Sequence, residues 1–307
     1  MSGPVDERDL AVSNEEEPVV TAREGRHATV GGLDIVRVLP TKGRRTVGAW
    51  CFVDLMAPDD IMEPPPMEVG PHPHIGLSTV TWLFSGEALH SDSLGTEQVI
   101  RAGQLNLMTS GHGIAHAELG LKGGRGVQMW VAQPEATRHG ESSFTHHSEL
   151  PVWDFGVGEA AVLIGSLGSA SSPAEAATPL VGAELRMRAG TVEVPTDRSF
   201  EFALVPLDGP MRIAGHVVEP GWIGLVEPGS DTLTIEAGDG GGRAMLFGGE
   251  PLGESIQMWW NFVARTKDEI TEAWRAWEDH DTSRFAAVPS QLARIDAPRP
   301  PWLPLSD

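Results

Sequence analysis

Short runs of β-branched, aromatic and other apolar residues recur along most of this chain, and turn residues separate them. In the first half these runs include LDIVRVL, TVGAWCFVDL, LSTVTWLF, QLNLMT, IAHAEL and VQMWVAQ, with GG, SG, AG and KGGRG between them. Several runs alternate polar and apolar residues, as half-buried strands do, and closely spaced short strands are typical of a sandwich or barrel. The pattern predicts a β-sandwich or β-barrel domain over residues 26–150.

A second block, residues 151–265, has the same pattern of short apolar runs between turn residues. Its runs include AVLIGSL, LRMRAGTVEV, FEFALVPL, MRIAGHVV, WIGLVE and TLTIEAG. It predicts a second β-sandwich or β-barrel domain of the same architecture. Its histidine, His216, stands alone, so we expect this domain to hold no metal and to act as a structural partner. Large apolar side chains should fill its interior and stabilise it. The residues predicted for this interior are Phe202, Leu204, Ile213, Ile223 and Leu225.

The two ends of the chain lack the strand pattern of the middle. Residues 1–25 are rich in charge and poor in large apolar groups, which predicts a disordered or loosely docked acidic tail. Residues 266–307 predict a helix followed by a Pro-rich tail that runs along the surface. The helix should begin at Thr266, because TKDE forms a capping box and apolar residues follow it at helical spacing.

Composition narrows the function classes. The formal net charge of −21 and the lack of Lys/Arg clusters argue against a nucleic-acid surface. A single cysteine, Cys51, excludes a disulfide framework and favours a reducing compartment. There is no apolar run of membrane-spanning length, and the acidic start does not resemble a signal peptide. We therefore expect a soluble cytoplasmic protein with no membrane contact.

Two short motifs carry the candidate chemistry: VGPHPHIG at 69–76 and SGHGIAHAE at 110–118. Residues two apart in a strand point to the same face, so His72 and His74 form one pair and His116 and Glu118 another. Prolines around the first pair place it at a sheet edge or at the start of a strand. Two facing pairs would offer three nitrogens and one carboxylate oxygen, which suits Fe, Mn, Ni, Cu or Zn, and the lack of thiolate ligands argues against a closed structural zinc site.

The remaining histidines are weaker candidates. His90, in LHSDSLG, is placed at the barrel mouth, and His112 in a turn near the metal ligands, where its imidazole could reach the edge of the pocket. His146 and His147 lie in the polar stretch SSFTHHSE, which predicts a solvated surface.

The motifs PHPHIG, HSDSLG, AGQLNLMTSGHGIAHAE and VQMWVAQPE resemble those of the pirin family, a branch of the cupin superfamily. The resemblance continues in GGLDIVRVLP and FGGEPLGESIQMWWNFVARTKDEI and spans roughly residues 25–285. It implies an all-β bicupin, two tandem jelly-roll barrels with a C-terminal helix and a metal in the N-terminal barrel. It also implies that His72, His74, His116 and Glu118 are the ligands, and that one divalent ion is bound, with Fe(II) favoured and Ni, Cu, Zn and Mn open.

Two positions depart from the family pattern. Ser78 stands where many pirins carry a glutamate, and His112 replaces an arginine or small residue in the G-x-G-I turn. Ser78 does not weaken the predicted metal site, because the family's carboxylate ligand matches Glu118. His112 bears on the choice of substrate.

Two functions fit this resemblance. Some pirins resemble the bicupin flavonol dioxygenases, which cleave the central ring of quercetin with O₂ and release carbon monoxide. In that case Glu118 would be both ligand and catalytic base for the 3-hydroxyl of a flavonol-like substrate. The alternative is a non-catalytic metal- or redox-sensing regulator that binds a transcription factor or metabolic enzyme. The four predicted ligands serve both functions, and the enzyme is preferred.

Overall fold

The computed structural model describes residues 20–57 and 64–304. These residues form antiparallel sheets and one helix, α1 (Lys267–Glu278), so the predicted all-β fold with a C-terminal helix is confirmed. Two domains follow one another, and each pairs a seven-stranded sheet with a four-stranded sheet. The facing sheets form a jelly-roll sandwich and are not closed into a continuous hydrogen-bonded barrel.

The strands alternate with tight turns along the whole described chain. The first twelve are β1 (Val20–Glu24), β2 (Arg26–Val30), β3 (Leu33–Leu39), β4 (Trp50–Met56), β5 (Glu68–His74), β6 (Leu77–Leu83), β7 (Glu87–Asp92), β8 (Glu97–Arg101), β9 (Leu105–Thr109), β10 (Ile114–Lys122), β11 (Gly126–Ala132) and β12 (Ser143–His147). The others are β13 (Val152–Asp154), β14 (Gly158–Ile164), β15 (Ser166–Leu167), β16 (Ala170–Ser171), β17 (Leu180–Met187), β18 (Gly190–Pro195), β19 (Glu201–Asp208), β20 (Met211–Ile213), β21 (His216–Val218), β22 (Trp222–Val226), β23 (Thr232–Ala237), β24 (Gly242–Gly249), β25 (Gln257–Trp259) and β26 (Phe262–Ala264).

The N-terminal domain places its two candidate motifs in the smaller sheet. The large sheet has the order β12-β9-β6-β11-β4-β3-β2, and the small sheet has the order β5-β10-β7-β8. Strand β5 lies at the edge of the small sheet, as its prolines predicted, because a proline has no N–H for a second neighbour. Antiparallel pairing of β5 with β10 brings the two histidine motifs side by side.

The C-terminal domain has a large sheet of order β1-β22-β19-β24-β17-β14-β13 and a small sheet of order β18-β23-β20-β21. Three of the predicted interior residues, Phe202, Leu204 and Ile213, lie in this domain's own core. The other two, Ile223 and Leu225, are buried in a different cluster, together with Trp50 and other N-terminal residues. Since side chains alternate along a strand, β22 turns them toward the neighbouring domain, and the prediction was wrong for this pair.

Each end of the described chain packs on the domain farther from it in sequence. Strand β1 (Val20–Glu24) pairs with β22 of the C-terminal sheet, so these residues differ from the loosely docked tail predicted for residues 1–25. Their apolar and β-branched residues find an open sheet edge, which the sequence pattern alone does not reveal. The rest of that predicted tail, residues 1–19, lies outside the described residues.

Helix α1 packs against the N-terminal domain. Ile270, Ala273 and Trp277 join a buried cluster with Ile75 and Ala115, which flank the histidine motifs. The cap at Thr266 is confirmed, because its side chain accepts a hydrogen bond from the backbone N–H of Glu269. The glutamate carboxylate accepts from the backbone N–H of Arg265, one residue earlier than the capping-box pattern predicts.

The single cysteine, Cys51, is a buried free thiol in β4, and burial raises its pKa to about 12. In residues 20–57 and 64–304 no helix has both the length and the apolar composition needed to cross a membrane.

Candidate metal centre

The structure brings the histidines of the two motifs together at one face of the small sheet. In the β5–β10 pairing, His116 lies opposite His72, and Ile114 lies opposite His74. The pairing is irregular between His116 and Glu118, so Glu118 lies opposite Val69. Neighbouring strands of one sheet, rather than strands that face each other across a barrel, therefore bring the three imidazoles together.

Among the described residues, one group of three potential metal-ligating side chains has its ligand atoms close together. It consists of His72, His74 and His116. One ligand atom from each lies within 4.8 Å of the others. The Nε2 atoms of His74 and His116 are 3.1 Å apart. The ring centroid of His72 lies 5.0 Å from that of His74 and 4.3 Å from that of His116. All three side chains are buried.

The other ring nitrogen of each histidine faces a hydrogen-bond partner behind it. His72 Nδ1 lies 2.9 Å from the carbonyl oxygen of Gly70, and His74 Nδ1 lies 3.0 Å from that of Asn261. A carbonyl oxygen can only accept, so both Nδ1 atoms carry the proton and both Nε2 atoms keep a free lone pair. Outer partners of this kind are typical of metal-ligating histidines.

His116 is backed by another histidine. Its Nδ1 lies 3.4 Å from Nδ1 of His90, and Nε2 of His90 lies 3.1 Å from a carboxylate oxygen of Asp92. Burial opposes ionisation of Asp92, but hydrogen bonds from His90 and from the backbone N–H groups of Thr96 and Leu94 outweigh it and lower its pKa. The carboxylate accepts from Nε2 of His90, and Nδ1 of His90 faces Nδ1 of His116.

Burial also keeps the imidazoles neutral. Desolvation lowers the pKa of His72 to about 4 and lowers the pKa values of His74 and His116 well below the ordinary value. A charged imidazole cannot ligate a metal, so neutral rings are the form that the chemistry requires.

This arrangement of donors fits a metal ion. When both rings carry their proton on Nδ1, the Nε2 atoms of His74 and His116 face each other at 3.1 Å with their lone pairs, and they repel unless a cation lies between them. Two nitrogens roughly 2.1 Å from one ion, at about a right angle, would be about 3.0 Å apart. Three imidazoles without thiolate match the ligand preferences of Fe, Ni, Cu or Zn.

Glu118 lines the same cavity as the three histidines, yet it is outside the close group that they form. Its side chain is buried, and desolvation raises its pKa. A carboxylate with a raised pKa is a stronger base than an exposed one. Its role as the fourth ligand therefore stays a prediction, and its place beside the donors also suits a proton acceptor.

The histidines open onto a cavity of about 300 Å³. Aromatic rings form one wall: Trp130 meets the ring of His74 edge-on at 5.2 Å, Phe52 stacks on Trp130 at 4.0 Å, and the guanidinium of Arg37 lies 4.4 Å from the centre of the Phe52 ring. Arg37 is fixed by two hydrogen bonds of 2.7 Å to Asp54. The cavity thus offers a flat, largely apolar face next to the nitrogen donors.

Three cavity residues come from segments that the motif analysis did not assign to the site. Trp260 and Asn261 form the turn between β25 and β26, and Ile295 lies in the tail after α1. Trp260 has a φ of 52°, an unusual backbone conformation for a bulky residue and one that tends to be retained at functional sites. Only the density of tryptophan in QMWWNF hinted at this contribution.

Neither His90 nor His112 lines the cavity, although His112 does lie in the turn predicted for it. His90 is buried behind His116, stacked on Phe144 at 4.5 Å, and does not line the cavity mouth. Its ring packs against those of Phe144 and His116, 4.5 and 5.2 Å away between centroids. His112 is exposed in the turn before β10, near His139, and is not among the cavity residues.

His146 and His147, which were predicted to be solvated, are instead half-buried in β12. Nδ1 of His146 lies 2.7 Å from the side-chain oxygen of Asn106.

Comparison with known proteins decides the family. Residues 32–131 match the Pirin family model, and residues 183–285 match that of the Pirin C-terminal cupin domain. The chain belongs to the pirin family. A Pseudomonas aeruginosa protein named "putative quercetin 2,3-dioxygenase" is 42% identical over 288 residues, 92% of this chain and 90% of the relative. A pirin-like protein of Caulobacter vibrioides is 35% identical over 285 residues. The matched region covers 87% of this chain and 98% of the Caulobacter protein.

Solved structures share the fold of this chain. The crystal structure of quercetin 2,3-dioxygenase from Acinetobacter baumannii superposes with a TM-score of 0.88 at 38% identity, covering 92% of this chain and 96% of the other. A bacterial pirin from Escherichia coli, in complex with nickel(II), has the same fold at 16% identity, with a TM-score of 0.60 and coverage of 76% and 100%.

Proposed function

We propose that this pirin is a metal-dependent oxygenase of the quercetin 2,3-dioxygenase type, which cleaves the central ring of a flavonol-like substrate with O₂. The observation that carries the proposal is the convergence of three neutral Nε2 donors on a cavity with a flat aromatic wall. The names of the Pseudomonas and Acinetobacter relatives support the same reaction.

His72, His74 and His116 would hold the ion through Nε2, and Glu118 is the proposed fourth ligand. We propose Fe(II), with Ni, Cu, Zn and Mn as the ions that metal analysis could find instead. When bound, such a metal supplies a Lewis acid, and a redox-active metal also supplies the means to activate O₂.

The cavity walls bind and orient the substrate. The aromatic side chains of Phe52 and Trp130 line the cavity and offer apolar contact area to a planar polyphenol. Met67, Val69 and Ile295 line the cavity as well and exclude water from the bound rings. Holding the substrate in one orientation beside the donors supplies the proximity that the reaction needs.

Glu118 is the group placed to move a proton. Its buried carboxylate lines the cavity, and its raised pKa favours proton uptake. We propose that an oxygen of Glu118 accepts the proton of the flavonol 3-hydroxyl, which gives the substrate the electron-rich form that reacts with O₂. This role is compatible with ligation in the resting protein.

An assay with quercetin tests the proposal. Protein stripped of metal and then loaded with Fe(II) should consume quercetin and O₂ and release carbon monoxide, and the metal-free sample should do neither. His74→Ala is the matched inactive control, because a methyl group cannot ligate. Ser91→Ala, a buried change in the neighbouring strand β7 that leaves the cavity lining intact, should keep the activity.

A fully loaded protein that leaves quercetin and related flavonols unchanged would contradict the oxygenase proposal. The alternative, a metal- or redox-sensing regulator that binds a transcription factor or metabolic enzyme, would then be the better reading of the same ligands.

A further inference from the structure

A buried polar chain of Asp92, His90 and His116 runs from a turn of the N-terminal domain to the candidate metal centre. Asp92 and His90 both lie in β7, and His116 lies in the adjacent strand β10. The links measure 3.1 Å from Asp92 to His90 and 3.4 Å from His90 to His116. The motif HSDS contains both outer residues two positions apart, so one strand presents them on one face.

We propose that His90 and Asp92 are positioning residues that fix the tautomer and ring orientation of His116, so that its Nε2 lone pair faces the metal. The inference rests on the proposed metal site and assigns it a dedicated outer support. His72 and His74 obtain this support from backbone carbonyls, which no side-chain substitution can remove. His116 alone among the three relies on side chains.

The direction of the chain follows from the chemistry of its ends. The backbone N–H groups of Leu94 and Thr96 donate to Oδ1 of Asp92, so Oδ2 is left to accept from Nε2 of His90. A His90 ring whose single proton is on Nε2 has a lone pair at Nδ1, and Nδ1 of His116, 3.4 Å away, can donate to it. The proton of His116 is thereby kept on Nδ1, away from the metal.

The surroundings of His90 hold it in this orientation. Its ring stacks on Phe144 at 4.5 Å with an interplanar angle of 20°, and both His90 and Asp92 are buried. Buried polar groups that are fully hydrogen-bonded rigidify their site. A ring fixed on one face by Phe144 and at Nε2 by Asp92 has little freedom to turn away from His116.

The Asp92→Asn variant separates positioning from packing, because it changes one atom and no volume. Its amide oxygen can keep the two backbone hydrogen bonds, which leaves the NH₂ group facing Nε2 of His90. That group donates, so His90 must carry its proton on Nδ1 and donate to His116. The proton of His116 then moves to Nε2, the atom that should ligate.

Two measurements test this. Titration of metal-free protein with Ni²⁺ gives the affinity, and long-range ¹H–¹⁵N correlation spectra of histidine-labelled metal-free protein give the tautomer of His116. We expect wild type to carry the proton on Nδ1 and Asp92→Asn to carry it on Nε2. We also expect Asp92→Asn and His90→Leu to weaken Ni²⁺ binding by roughly 10–100-fold, the usual effect of losing an outer partner.

His90→Asn keeps an acceptor near the position of Nδ1, so it should bind Ni²⁺ more tightly than His90→Leu. His146→Leu is the matched control, because His146 is a half-buried histidine on β12 that bonds to Asn106 and touches none of the ligands. It should bind Ni²⁺ as wild type does. Thermal unfolding of each variant confirms that the fold is intact.

The outcomes distinguish this inference from the metal site itself. If wild type binds Ni²⁺ and Asp92→Asn binds it equally well with the proton still on Nδ1, the positioning role is overturned and the metal site stands. If wild type takes up no Ni²⁺, the metal site fails and this inference fails with it.

Discussion

The metal-facing nitrogens of His72, His74 and His116 depend on groups behind them that come from separate parts of the chain. Gly70 precedes His72 by two residues, whereas Asn261, which backs His74, lies 187 residues away. Each outer partner fixes a proton on Nδ1 and so leaves Nε2 available. The sequence motif supplies the ligand types, and the folded chain supplies their protonation and direction.

At the residue scale, Glu118→Gln separates ligation from proton transfer. Glutamine keeps the size and an oxygen donor but loses the charge and most of the basicity. We expect Fe(II) still to bind while quercetin turnover falls by roughly 10²–10⁴-fold, the usual effect of losing a general base. His74→Ala should instead lose metal and activity together. Near-normal turnover of the glutamine variant at full metal occupancy would show that Glu118 is not the proton acceptor.

At the element scale, the tail after α1 forms part of the cavity by crossing strand β5. The backbone N–H of Ile295 donates to the carbonyl oxygen of Pro71 at 2.9 Å, and the indole N–H of Trp277 donates to the carbonyl oxygen of Ile295 at 2.9 Å. The Ile295 side chain reaches the cavity. The tail thus closes the site from outside the jelly-roll sandwich.

Gly70→Ala should displace this tail. A β-carbon at residue 70 would lie 1.9 Å from the carbonyl oxygen of Ala293, so the two backbones must separate. We expect a loss of about 1–3 kcal/mol in the free energy of unfolding, as for other overpacked sites, and faster proteolytic cleavage of the tail. Gly238→Ala is the control, since a β-carbon there meets nothing within 4 Å. Equal proteolysis of the two variants would argue against a closely seated tail.

At the scale of the whole molecule, the two domains are joined by buried polar contacts as well as by a shared apolar core. The indole N–H of Trp50 donates to backbone carbonyls of Val181 and Gly248, and that of Trp82 donates to the carboxylate of Glu184 at 2.8 Å. Glu184 also pairs with Arg186 and Arg243. Such contacts hold the C-terminal domain against the back of the sheet opposite the metal centre.

Glu184→Ala should lower the free energy of unfolding by weakening the contact between the two domains. It leaves the buried indole N–H of Trp82 without its acceptor, which costs about 1–3 kcal/mol, and it also removes the partner of two partly exposed arginines. Glu159→Ala is the matched control, because Glu159 forms an exposed, 3.6 Å ion pair with the same Arg186. We expect that change to cost less than about 1 kcal/mol. Urea denaturation measures both values, and similar losses for the two variants would contradict the assigned role of Glu184.

Local patterns predicted what depends on local geometry. Alternation and proline placement located the edge strand of the HPH motif, and the two-residue period placed both histidines on one face. The pairing of β1 with β22, the contribution of Asn261 and the inward turn of His90 depend on contacts between distant segments. Periodicity carries no information about such contacts, because a strand pattern states which face is apolar and leaves open which neighbour covers it.

The central claim is that Nε2 atoms of His72, His74 and His116 bind one divalent ion at the floor of the aromatic-walled cavity. A crystal structure of Fe(II)-loaded protein, with anomalous data collected at the iron edge, tests it most directly. The account predicts one anomalous peak per chain, roughly 2.0–2.3 Å from each Nε2 atom. A peak at other residues, or no peak at these histidines in protein shown to contain iron, would contradict it.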